Sequence, residues 1–146
     1  MKLEIYQVDA FTNRPFGGNP AAVVPLFAWL PDETMLAIAA ENNLAETAFF
    51  VQNGDRYDVR WFTPKVEVNL CGHATLASAY VIFECLKLES ESVKFHSHRS
   101  GPLGVTKQDG KMVLDFPAFP VTKIEQSDEL AGAIGAIPFK VFETQG

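Results

Sequence analysis

Positive charge is scarce in this chain of 146 residues. It carries 12 Lys and Arg against 18 Asp and Glu, a net charge of -6, with no basic cluster. Phosphate backbones and anionic membrane surfaces are held through Lys and Arg, so nucleic acid and membrane are not expected partners. Cysteine is scarce as well. Cys71 and Cys85 make no disulfide framework, and on one helix they stand roughly four turns apart, beyond bridging reach. No apolar run approaches membrane-spanning length; the longest fall within Leu76–Phe83 and Ala21–Leu30. Glu4 and Asp9 interrupt the segment where a signal peptide needs an unbroken apolar core. Low-complexity tracts and short repeats are absent too. These absences leave a globular chain of roughly one domain, expected in the reducing cytoplasm with free thiols.

What is present is a series of short strands and few helices. "KLEIYQVDAF" alternates in a strand-like way, and Leu3, Ile5, Gln7 and Ala10 are read as the apolar face. The turn formers of "TNRPFGGNP" follow, then a short buried strand, "AAVVPLFA", whose Pro25 indicates a bend or an edge. "LPDETMLAIAAENN" has Pro31 in its first turn, early acids at Asp32 and Glu33, and an Asn42-Asn43 stop, the marks of a helix. "LAETAFFVQNGDRYDVRWFTP" reads as a hairpin turning at Asn53-Gly54. Three further strands are expected in "SVKFHSHRSG", "PLGVTKQDG" and "KMVLDFPAFP", then a short helix in "SDELAGAIG" capped by Ser127 or Asp128. "AIPFKVFETQG" is the expected last strand. The class is α+β with a mostly antiparallel sheet.

One element stands out. From Ala74 to Leu86 the only strongly polar side chain is Glu84. A helix apolar all round is buried all round, so in a chain this small a strongly curved sheet must roll about it. The first N–H groups of such a helix lack partners, and Cys71, Gly72 and His73 stand at its mouth. That end suits a carboxylate or an oxyanion. A plainer alternative is a tight entry at Gly72 capped by His73. Glu46, in "NLAETAFFV", shares a strand face with Ala48 and Phe50 by alternation. A carboxylate on an apolar face must be paired or protonated, and the protonated form is what a general acid requires. A shifted register would instead leave Glu46 in solvent.

Three stretches in this order, "VDAFTNRPFGGNPAAVV", "LAETAFF" and "WFTPKVEVNLCGHATLASA", resemble the phenazine-biosynthesis PhzF-like family. "HRSGPLGV" and "KMVLDFPAFP" extend the likeness. That family is part of the diaminopimelate-epimerase-like fold. The resemblance implies one lobe of a two-lobed shell, each lobe a curved sheet around a central helix, with the active site in the cleft between lobes. It also implies cofactor-independent isomerase or epimerase-type proton transfer on a small acidic substrate. By the same resemblance Glu46 and His73 are the catalytic pair, Glu46 as proton shuttle and His73 as orienting group or second acid/base. Gly72, Cys71 and Asn19 are implied as substrate-binding. Cys71 matches a catalytic base in the epimerase branch and a small packing residue in the PhzF-like branch; both readings stand. Asn19 reads equally as a turn residue.

The departure from the family is length. Residues 1–146 match the N-terminal half only, and nothing in Ile124–Gly146 supplies the second lobe's aspartate and small-residue turn. A truncated product, a separate half, or a homodimer that rebuilds the cleft are the expected explanations. Two rivals remain. His96 and His98, with Cys71 or His73, form a weak metal pattern, and no metal or cofactor is expected. A half-length relative also suits a non-catalytic ligand-binding or dimerisation module that retains the anion pocket.

Overall fold

The computed structural model describes residues 2–144, which divide into two compact units, one running through Phe116 and the other starting at Pro117. In the first unit β1 (Tyr6–Ala10) and β2 (Asn19–Leu26) precede α1 (Asp32–Asn42), followed by β3 (Glu46–Asn53), β4 (Arg56–Phe62) and the short β5 (Glu67–Val68). Then come α2 (Gly72–Tyr80), a π-helical turn over Val81–Cys85, and β6 (Ser92–Ser97), β7 (Gly101–Gln108) and β8 (Lys111–Asp115). The strands form one sheet in the order β1-β2-β3-β4-β6-β7-β8, with β5 paired to β4. Its pairs are antiparallel except β2 with β3 and β4 with β6. This is the α+β class indicated by the sequence: a strongly curled, mostly antiparallel sheet around an apolar helix.

The two parallel pairs explain where the helices lie. Each needs a crossover, and crossovers are right-handed. The β3–β4 hairpin reverses strand direction between them, so right-handed crossovers that step the same way across the sheet place α1 and α2 on opposite faces. The side chains sort accordingly. Val23, Ala48, Phe50, Val59 and Trp61 pack against Ala74, Ala77 and Ile82 of the α2 segment. The alternate residues Val24, Phe49 and Phe62 pack against Met35 and Ala39 of α1. Ala74, Ala77 and Ala79 are small enough for the sheet to close on α2. The buried hydroxyls of Thr75 and Ser78 are satisfied within the helix by Cys71 O at 2.6 Å and Ala74 O at 2.8 Å.

Several expectations shift. In β1 the inward residues are Tyr6, Val8 and Ala10, while Ile5 is exposed. The reason is register: Tyr6 and Val8 lie opposite Val23 and Ala21, which already face α2. Pro25 sits inside the sheet, but β1 stops opposite Val23, so no strand asks Pro25 for an N–H on that side. The hairpin turn is Gly54-Asp55, since Asn53 still pairs with Arg56. The α2 segment is not apolar to its end: Tyr80, Glu84, Cys85 and Leu86 reach the surface, where the chain leaves the curled sheet. α1 forms where expected, but Pro31 stands at its N-cap rather than inside its first turn, and a left-handed Asn43 closes it.

The second unit contains β9 (Val121–Ile124), α3 (Asp128–Ile134) and β10 (Val141–Thr144), with β9 and β10 paired antiparallel. Ser127 caps α3, accepting a hydrogen bond from Leu130 N at 3.1 Å. None of its described residues is buried, and Ile137 and Phe139 are among its exposed apolar side chains. Positions 145 and 146 of the expected last strand lie outside the described residues.

Candidate active site

The site forms where three elements begin at one end of the first unit's sheet. β2 starts at Asn19 and β3 at Glu46, and the parallel register sets Ala21 beside Glu46. Ala21, Val23, Ala48 and Phe50 all face α2, so Asn19 and Glu46, spaced by two from that set, stand on the same inner face. α2 opens at this end, its N-terminal residue following Cys71. The connection is tight at Gly18, whose φ of +69° puts a hypothetical Cβ 2.0 Å from Ala10 O; only glycine fits. In the same loop Phe11 and Phe16 hold positive φ of 62° and 63°, a conformation bulky residues keep only under constraint.

Three reactive side chains converge there. Glu46 Oε2 lies 3.3 Å from His73 Nε2, and Cys71 Sγ lies 3.4 Å from His73 Nδ1. The imidazole is thus flanked by a carboxylate and a thiol. Glu46 keeps 21% of its side chain exposed against 9% for His73, so the carboxylate opens outward and the ring is held behind it. The Nε2 contact is short but off the line of a hydrogen bond, which leaves Nε2 buried without a hydrogen-bond partner. Burial pushes the Cys71 thiol up to about 12, and the neighbouring Glu46 carboxylate adds to this against the opposing pull of the Ala74 and His73 amides. At neutral pH burial therefore favours the protonated thiol of Cys71. It should resist alkylation: at pH 8, iodoacetamide followed by peptide mass spectrometry is expected to label exposed Cys85 at least about a hundredfold faster than Cys71. Equal labelling would contradict the buried neutral thiol.

Sequence reasoning missed the residues that position this turn. Arg99 Nη1 donates to Asn69 Oδ1 at 3.0 Å, and Ser100 Oγ donates to Asn69 O at 2.6 Å. The β6–β7 turn thereby holds the backbone two residues before Cys71. Arg99 in turn meets Glu67 at 2.9 Å, and Glu67 is gripped at both oxygens by Arg60, which also reaches Asp32. A chain of charge-assisted bonds so links α1 to the mouth of α2. On the other side Phe116 covers Gly72, where a Cβ would stand 3.3 Å from the ring. The signals were the "HRSG" and "DFPAFP" stretches, legible as strand and turn and as part of the family likeness, but not as partners of Asn69 or Gly72.

His96 and His98 do not join this site. β6 ends at Ser97, so His98 lies in the turn near Glu67 while His96 lies near Asp58, each 3.8 Å from its carboxylate. Among the described residues, the cluster with metal-ligating spacing is Glu46, Cys71 and His73, and neither histidine belongs to it. No helix among the described residues is long and apolar enough to cross a membrane.

Comparison with known proteins agrees with this architecture. A family model described as phenazine biosynthesis-like protein, PhzC-PhzF, matches residues 8–137. An uncharacterised isomerase of Pseudomonas aeruginosa is 53% identical over 141 residues, covering 97% of this chain and 54% of that protein. A PhzF-family phenazine biosynthesis protein of Enterococcus faecalis superposes with a TM-score of 0.87 at 47% identity, over 96% of this chain and 54% of its own. A predicted epimerase of Pseudomonas aeruginosa shares the fold at a TM-score of 0.70 and 20% identity, over 93% and 51%. The chain spans about half the length of the curated relatives it matches.

Proposed function

The chain belongs to the phenazine biosynthesis-like PhzC-PhzF family, and from that premise we propose that it forms one wall of an isomerase site that moves a proton between carbons of a small carboxylic acid. The observation that carries the reading is the Glu46–His73 contact of 3.3 Å at the mouth of α2. Glu46 is the proton shuttle. A substrate C–H bond next to a π system conjugated with the carboxyl group breaks, its electron pair passes into that π system, and the Glu46 carboxylate takes the proton. The same group then delivers it to a second carbon, so no cofactor is consumed. His73 stands beside Glu46 to orient the substrate and to share the proton. The amides of Gly72 and His73, with Asn19 across the inner face, hold the substrate carboxylate. Cys71 lines this pocket as a neutral thiol.

A second lobe completes the cleft, either from a longer chain like the relatives or from a second copy. The supporting observations are the relatives' length and the exposed apolar side chains of the second unit. Light scattering after size exclusion, with deuterium exchange from D2O into a panel of small cyclic carboxylic acids, tests this. Exchange is expected from a dimer, or after the remaining half of a relative is added, and not from a monomer. An assembled two-lobed protein that binds the acids without exchanging them would overturn the isomerase reading and leave a binding module.

A further inference from the structure

We propose that Glu46, Cys71 and His73 chelate a thiophilic divalent cation, Zn2+ foremost, and that the ion closes the site to its acidic substrate. The binding claim stands on the geometry alone, while the blocking claim rests on the proton-transfer reading above. The three residues supply an oxygen, a sulfur and a nitrogen, the donor set of open zinc sites with three protein ligands. One ligand atom from each lies within 4.8 Å of the others. Ideal tetrahedral Zn2+ places such atoms about 3.3–3.6 Å apart, and the Glu46–His73 and Cys71–His73 separations are 3.3 and 3.4 Å. Those two distances run to opposite ring nitrogens, and one ion binds only one of them. An ion on Nε2, beside Glu46, must draw in the Cys71 thiol by rotation about its single side-chain torsion.

A second observation points the same way. His73 is only 8% exposed, and its Nε2 is buried without a hydrogen-bond partner. Buried polar atoms are almost always partnered, and a metal ion would use the lone pair. Charge balances as well. A dication meets one carboxylate and one thiolate, with the imidazole neutral, and coordination releases the thiol proton to solvent. The side of the cluster open to solvent is at Glu46, which keeps 21% of its side chain exposed, and a substrate carboxylate would otherwise approach there. The proposal concerns an inhibitory ion, not a catalytic one: once bound, Glu46 no longer has a free oxygen in position to carry a proton.

Co2+ titration of the reduced chain carrying Cys85→Ser, so that Cys71 is the one remaining thiol, provides the test. A thiolate-to-cobalt charge-transfer band is expected in the near ultraviolet, saturating at one equivalent and bleached by equimolar Zn2+. Cys71→Ser should remove the band. His73→Gln and Glu46→Gln should each raise the cobalt concentration at half-saturation by at least about tenfold. Circular dichroism checks that each variant is folded. Should Cys71→Ser fail to fold, the two other variants, with the proton released on Zn2+ addition in weak buffer, decide the matter. No band up to millimolar cobalt, or cobalt binding without a thiolate band, as His96 or His98 would give, overturns the proposal. Neither result alters the deuterium-exchange experiment, so failure of the metal site and failure of the isomerase reading are separable.

Discussion

Glu46→Gln in the assembled two-lobed protein should slow deuterium exchange into its best carboxylic acid by about a thousandfold, within the range a positioned general acid/base contributes. The amide is nearly the same size and keeps a polar oxygen beside His73, 3.3 Å away in the native site. Packing on β3 therefore survives, and so does the α2 mouth proposed above as the carboxylate site. Affinity for the same acid should stay within about tenfold, which separates lost chemistry from lost binding. The residue at risk is specific: Glu46 is the one carboxylate close to His73 and Cys71 among the described residues. Unchanged exchange in the variant would end its role as proton shuttle. A matched loss of affinity would instead make Glu46 a binding residue.

Arg60→Met should destabilise the protein by about 2 kcal/mol, because it removes two charge-assisted hydrogen bonds from the nearly buried Glu67 carboxylate and leaves that charge to Arg99. Arg60 and Glu67 keep only 13% and 10% of their side chains exposed and share two hydrogen bonds of 2.7 and 2.8 Å. The Arg60 guanidinium also stacks over Phe62, 5.1 Å from the ring centre. The sign of the pH dependence follows from Glu67. Its hydrogen bonds to Arg60 hold its carboxyl below the usual carboxylate range, against the opposing effect of burial. A group depressed in the folded state stabilises the fold above its unfolded pKa of about 4.3, and that contribution fades as pH falls through the lower, folded value. In urea titrations the gap between native and variant protein should therefore be full at pH 7 and shrink well below a pH of about 4.3. A gap that stays constant with pH would trace the loss to packing over Phe62. The same variant should loosen the site, since Glu67 also holds Arg99, and Arg99 holds Asn69 before Cys71.

The sequence carried the local chemistry of these features. Helix α1 was legible because its signals are short-range: Pro31 before it, Asp32 and Glu33 in its first turn, Asn43 left-handed at its end. The inner face of β3 was legible because strand periodicity is rigid, and Glu46 joins Ala48 and Phe50 wherever the strand goes. The run from Ala74 onward demanded a wrapped core, and the sheet curls around it. β1 was misread because apolar and polar residues alternate weakly there. Tyr6 and Val8 point inward only because β2, already facing α2, sets the register.

By itself, then, the sequence determined most of the elements, though not β5 or β9, together with the curled α+β core and the motif residues Glu46 and Cys71–His73, since each depends on neighbours a few positions away. The tertiary structure alone decided what those residues meet. It brought the Glu46 carboxylate, from the start of β3, within 4.8 Å of the Cys71 thiol at the mouth of α2. It also turned the His73 imidazole between them, and it ran the Arg60–Glu67–Arg99 chain up to Asn69. Such contacts join strands and helices through crossovers whose handedness and register are properties of the whole sheet, and no local pattern along the chain encodes them.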